Sequence, residues 1–201
     1  MTGPADQAGS SAEQRAALAV IDMQRVFADR DSPWLVPRFA EIVGPIQRLV
    51  RAYRPRVIFT RFVAPAVPTG AWRRYYEVWP FALQPPDARI YELVDEFADE
   101  PGPTLDATTF GKVGDQLSTM IAGGRLVLAG VSTDCCVLST ALAAADDGVP
   151  VQVVADACAG VSDDSHAETL DILRLYGPLV EVVSLADAIA QAPGPGAAPP
   201  A

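Results

Sequence analysis

The stretch Leu126-Val-Leu-Ala-Gly-Val-Ser-Thr-Asp-Cys-Cys-Val-Leu138 joins an apolar run to a helical pattern through a short polar turn. Two thiols, Cys135 and Cys136, stand at that junction, and the helix pattern runs from Cys136 to Asp147. At a helix N-terminus, unpaired backbone N–H groups and the positive end of the dipole favour thiolate over thiol. A cysteine so placed is a candidate nucleophile; elsewhere a free cysteine is usually a small buried hydrophobe. The residues from Gly130 to Asp134 add a tight turn with exposed backbone donors beside the thiol. A nucleophilic thiol also needs a base. Asp22 closes the apolar run Ala16–Ile21. A carboxylate there serves as a helix cap, as a solvated loop residue or, once burial makes it more basic, as a general base. The third cysteine, Cys158, lies at the end of another apolar run and reads as structural.

Composition narrows the chemistry further. A formal net charge of −10 argues against nucleic acid, whose binding needs phosphate-neutralising Lys and Arg. Three cysteines without a Cys-x-x-Cys pair, and a single histidine, His166, are too few ligands for structural zinc or a His-rich catalytic metal. No Ca-loop spacing appears. No metal and no cofactor are expected. Lys112 is the only lysine, so one ammonium is on hand for any step that needs one. No apolar run reaches the roughly 20 residues of a membrane span, and no membrane partner is expected. Met1–Glu13 lacks the basic patch and apolar core of a signal peptide, so the expected location is the cytoplasm, with all thiols free.

These side chains must be positioned by regular elements. Near-continuous apolar runs predict strands at Ala16–Ile21, Val57–Thr60, Arg125–Ala129, Val151–Ala155 and Leu179–Val183, with a weaker one at Pro103–Thr108. Helical spacing alternates with them over Arg38–Tyr53, Gly114–Ile121, Cys136–Asp147, Ser165–Leu175 and Leu185–Ala190, and predicts a short helix over Tyr91–Phe97. Pro65–Pro86 reads as an irregular, aromatic excursion. Apolar strands between helices predict a parallel sheet covered on both faces. In such a sheet the site lies beyond the carboxyl ends of the strands. Asp22, Arg61, Cys136 and Asp156 all fall at or just past expected strand ends, so distant residues can meet there. The polar ends, residues 1–14 and 191–201, read as disordered tails around one domain, 15–190.

Several segments, in order, resemble the isochorismatase-like cysteine hydrolases. Ala17-Leu-Ala-Val-Ile-Asp-Met-Gln-Arg-Val-Phe27 is similar to the family's first signature, and Val57-Ile-Phe-Thr-Arg61 to its second strand. The segment Leu128–Ala141 resembles the nucleophile signature, and Val153–Ala159 the strand after it. The resemblance implies a single three-layer α/β domain with a six-stranded, mainly parallel, Rossmann-like sheet and helices on both faces. It implies that the cysteine before Val137 is the nucleophile, hence Cys136, with Cys135 a pocket neighbour. It implies a non-proline cis peptide at Val131–Ser132, and an oxyanion hole made by the N–H groups of Ser132 and Cys136. A homodimer or homotetramer acting on a small-molecule substrate is the family's usual form.

Two departures shape the remaining expectations. The family completes its triad with a lysine just before a Thr-Thr-Phe-like segment, and here that position is Ala107. Lys112 lies five residues later. It is a catalytic candidate, but a loop lysine gains little from entering a closed site. Lys112 is therefore expected to point to solvent and to leave an unfilled volume beside Asp22 and Cys136. Nicotinamidase-type members carry an Asp and histidines after the second strand, whereas Thr60–Pro65 has none, which argues against a metal and against nicotinamide. Arg61 is a candidate anchor for a carboxylate or phosphate, or pairs with a neighbouring acid. Trp72, Tyr75, Tyr76 and Trp79, with Phe27 at the end of the first signature, are candidate walls for a flat or apolar substrate. The sequence reading is a cysteine hydrolase of small amide C–N bonds, working through a thioester. Its alternatives are vinyl-ether hydrolysis of the isochorismate type, and a non-catalytic binding protein on the same scaffold, for which Ala107 is the best support.

Overall fold

A computed structural model describes residues 16–121 and 123–193. The tail 1–14, and residues 194–201 of the other, lie outside them. Six strands, β1 (Ala17–Ile21), β2 (Val57–Phe62), β3 (Thr104–Ala107), β4 (Leu126–Val131), β5 (Val151–Ala159) and β6 (Val180–Val183), form one sheet. Its order is β3-β2-β1-β4-β5-β6 and every pairing is parallel. The helices are α1 (Arg25–Ala28), α2 (Phe39–Tyr53), α3 (Trp72–Val78), α4 (Asp95–Ala98), α5 (Asp115–Ile121), α6 (Leu138–Asp146), α7 (Asp163–Arg174) and α8 (Leu185–Ala190). None is long and apolar enough to cross a membrane among the described residues.

The period-2 alternation of β1 explains why both faces are covered. Leu18 and Val20 face Ile42, Ile46 and Leu49 of α2 and Ala188 of α8. Ala17, Ala19 and Ile21 face Leu117 of α5, Ala141 and Ala144 of α6, and Leu173 of α7. In α2 the side chains of Phe39, Ile42, Ile46, Leu49, Val50 and Tyr53 are buried. Each such burial is worth about 1.5–3 kcal/mol. Together they outweigh Pro45 inside the same helix, which costs about 3 kcal/mol.

The structure corrects four local expectations. The segment 65–86 is not wholly irregular: it contains α3 and a 3-10 turn at Pro80–Ala82, each fitted between prolines. The expected helix over Tyr91–Phe97 is broken. A 3-10 turn, Arg89–Tyr91, and α4 flank an extended stretch. There Glu92 O accepts from Arg25 N at 2.9 Å and Val94 N donates to Met23 O at 3.0 Å, so long-range pairing overrides local propensity. β5 continues to Ala159, which puts Asp156 inside the strand. Its carboxylate accepts from Leu185 N at 2.8 Å and caps α8 rather than serving the site. The cysteine helix is preceded by one wide π turn, Thr133–Val137, before α6 begins.

Gly130 fixes the closest approach of β1 and β4. Its φ is +120°, and a Cβ there would lie 2.1 Å from Ile21 O. No side chain fits, and the two strand ends that carry Asp22 and the cysteines are held together.

Candidate active site

Strand order reverses between β1 and β4, the point at which an open parallel sheet leaves a crevice. Asp22 follows β1 and the cysteine turn follows β4, so both sides of that crevice carry chemistry. Asp22 has φ +49°, a left-handed conformation uncommon for a residue with a side chain. The tight turn that results, with Gln24 N donating to Asp22 O at 2.7 Å, keeps the carboxylate in the crevice. Asp22 is fully buried. Its Oδ1 accepts from Thr60 Oγ1 at 2.6 Å, and its N–H donates to the same hydroxyl at 3.2 Å.

Its other oxygen meets Lys112. Lys112 Nζ lies 2.8 Å from Asp22 Oδ2, with side-chain exposures of 1% and 0%. The expectation that Lys112 faces solvent is therefore wrong, and so is the unfilled volume: the place beside Asp22 is taken. Burial is costly for an ammonium on its own. An equally buried carboxylate supplies the partner that makes a dry ammonium tolerable. The ammonium also donates to Thr109 O at 3.1 Å and stands 5.2 Å from the centroid of the Phe62 ring. Oδ2 is held by charge rather than by an aligned hydrogen bond, and no described group donates one to it.

The loop after β3 delivers this lysine. Phe110 stacks on Phe62 at 5.9 Å, and Gly111 passes close under Ser139 O, where a Cβ would sit at 3.4 Å. Lys112 N donates to Thr140 Oγ1 at 3.1 Å, and that hydroxyl donates to Cys136 O at 2.6 Å. Thr140 thus ties the lysine loop to the backbone of the candidate nucleophile. Thr140→Val keeps the shape and strands a buried N–H, at a cost of about 1–3 kcal/mol. Thermal denaturation should show the loss. The catalytic rate should fall by roughly tenfold or more as the loop loosens. Thr140→Ser should restore both.

Cys136 is buried and Cys135 half-buried. The adjacent Cys135 thiol holds Cys136 well above the ordinary thiol value, and burial and the Asp22 carboxylate add to this against the opposing pull of Lys112. The Cys136 thiol in turn pulls Cys135 down. The resting nucleophile candidate is a thiol, not the thiolate its helix-end position suggested. A base is then required, and Asp22 is within electrostatic reach. Cys158 is pushed up to about 12 by burial and stays inert in the core. The Val131–Ser132 peptide bond is cis. Asp134 Oδ1 accepts from Val161 N at 2.9 Å, and Thr133 Oγ1 contacts His166 Nδ1 at 2.8 Å, which anchors the turn to the segment entering α7 and to α7 itself.

A cavity of about 410 Å³ opens in front of this turn and is lined by Ser132, Cys135 and Cys136. Of the expected wall residues, Phe27, Tyr75 and Trp79 line it. Trp72 and Tyr76 do not; they pack behind, against Phe62 and Phe110 and in the cluster around Phe62 and Tyr91. Arg61 is not in this cavity either. Thr60 and Phe62 face the crevice, so alternation turns Arg61 to the other face, where it pairs bidentately with Asp106 at 2.7 Å. Sequence reasoning missed Trp34, Phe62 and Phe110 in the wall, and Thr60 and Thr140 in the polar network. Thr60 was accessible in principle: in the parallel register Val20 pairs with Phe59, so Thr60 comes level with the end of β1.

A family model described as the Isochorismatase domain matches residues 16–187. No curated protein matches the chain significantly. Among solved structures, a cysteine hydrolase from Pseudomonas syringae pv. phaseolicola 1448A superposes with a TM-score of 0.78 at 22% identity, over 89% of this chain and 92% of that one. N-carbamoylsarcosine amidase from Thermoplasma acidophilum gives 0.67 at 20% identity, over 85% and 96%. Pyrazinamidase of Pyrococcus horikoshii, in complex with zinc, gives 0.66 at 21% identity, over 85% and 99%. At these identities the likeness is one of fold. A zinc site does not fit the described residues. Arg61–Pro65 offers no His or Asp, and no three His, Cys, Asp or Glu side chains cluster to hold a metal among the described residues.

Proposed function

The chain belongs to the Isochorismatase domain family, and on that premise we propose a cysteine hydrolase of small amide C–N bonds that works through a thioester. The observation that supports this reading is the buried Asp22–Lys112 ion pair at the switch point of the sheet, whose other side carries the turn with Cys136. Asp22 takes the thiol proton as the sulfur attacks the carbonyl carbon. The oxyanion rests on the N–H groups of Ser132 and Cys136. The C–N bond breaks, and Asp22 returns the proton to the leaving nitrogen. Water then gives a proton to Asp22 and attacks the thioester, and the proton goes back to sulfur as the acid leaves. Lys112 keeps the carboxylate in place and balances its charge through both half-reactions.

The non-catalytic alternative drew on a missing ammonium, and Lys112 supplies it. Ammonia release from a panel of primary amides tests the proposal. Failure across the panel, with a folded protein, would count against it. The donor set also gives an expectation about metal. Exhaustive treatment with EDTA and 1,10-phenanthroline should leave the rate unchanged; loss on chelation and recovery on adding zinc or iron would overturn the metal-free mechanism.

A further inference from the structure

We propose that the substrate is an uncharged amide bearing an aryl or comparably flat apolar group, and that carboxylate-bearing amides are rejected. This deepens the hydrolase reading above and rests on it. The cavity before Cys136 is walled by the rings of Phe27, Trp34, Phe62, Tyr75, Trp79 and Phe110. Trp34 is the hub: it contacts Phe27 face to face at 6.1 Å, and Phe62, Tyr75, Trp79 and Phe81 edge-on or tilted at 5.1–6.0 Å. Interlocked rings make a fixed slot that rewards a flat group more than a flexible polar one. A cavity of about 410 Å³ is far larger than acetamide, so the smallest amides leave most of it unused.

Charge supplies the other half of the argument. Asp134 is the one ionic side chain in the wall among the described residues, and no Lys or Arg lines it. Recognition of a carboxylate is the task of a Lys or of a bidentate Arg. The two cations nearest in the sequence argument are both committed elsewhere. Arg61 is clamped on Asp106 on the opposite face, and Lys112 is sealed against Asp22. A substrate carboxylate would lose its water against aromatic faces and meet the negative charge of Asp134 without a counter-ion.

The test uses three probes: phenylacetamide, 4-carboxyphenylacetamide, which carries one carboxylate on the same scaffold, and acetamide. Binding is measured by calorimetry on Cys136→Ala, and ammonia release on the unmodified protein. Phenylacetamide should bind more tightly than either other probe, by roughly tenfold to a hundredfold. Tyr75→Leu and Trp79→Leu should each narrow that gap. Equal or tighter binding of the carboxylate probe overturns the inference, as does no detectable binding of phenylacetamide. Faster ammonia release from the carboxylate probe overturns it while leaving the hydrolase reading standing. Tight binding of phenylacetamide with no ammonia released supports the ligand class and removes the hydrolase reading instead.

Discussion

Cys136→Ala should abolish amide hydrolysis while the protein stays folded. Loss of a nucleophile removes the covalent route altogether, which costs on the order of 10⁴-fold or more in rate. The side chain is small, so truncation leaves a minor cavity and the melting temperature should barely move. Cys135→Ser should keep most of the activity, because serine preserves the size and polarity of a side chain that only lines the cavity. The two thiols also differ in their resting state. Cys135 is half-buried at the cavity wall and held low by its neighbour Cys136, while Cys136 is buried and held high. Iodoacetamide at neutral pH should therefore modify Cys135 first. Selective labelling of Cys136, which its place beside a helix start favours, should emerge only in Cys135→Ala, which removes the more accessible competing thiol. Retained turnover in Cys136→Ala would show that the register of the nucleophile is wrong.

Lys112→Met should have the second largest effect, on stability and on rate together. Both partners of the ion pair are almost wholly buried. Removing one strands a charge, which costs about 3–5 kcal/mol in comparable sites. Chemical denaturation should show a loss of that order, and activity should fall to background. Lys112→Met combined with Asp22→Asn removes both charges and should recover much of the stability but none of the activity. That pattern separates a catalytic ion pair from a purely structural one. Ala107→Lys should bring no gain, since the ammonium it would add is already at Asp22. A stable Lys112→Met with full activity would contradict this account.

Much of the sheet was legible because buried parallel strands leave continuous apolar runs, as in Ala17–Ile21 and Leu126–Val131. That Asp22 and the cysteine turn face one crevice followed from the strand ends. What failed depended on contacts that one-dimensional spacing does not carry. The position of Lys112 is not legible in the sequence because the Asp22 carboxylate that makes its burial tolerable lies 90 residues away. Arg61 was put in the site although strand alternation, with Thr60 turned toward Asp22, already sends it to the other face. The Tyr91–Phe97 helix gave way to hydrogen bonds with Met23 and Arg25, residues far away in sequence. Trp34 carried no motif, and only packing shows it at the centre of the aromatic wall.

The central claim is that Cys136 forms the bond to carbon with Asp22 as its base. Acid quench during turnover of phenylacetamide, followed by peptide mass spectrometry, reads this directly. The account predicts a phenylacetyl thioester on the peptide containing Cys136, localised by fragmentation to that sulfur and absent in Asp22→Asn. An acyl group on Cys135, or full turnover in Cys136→Ala with no acylated peptide, would contradict it.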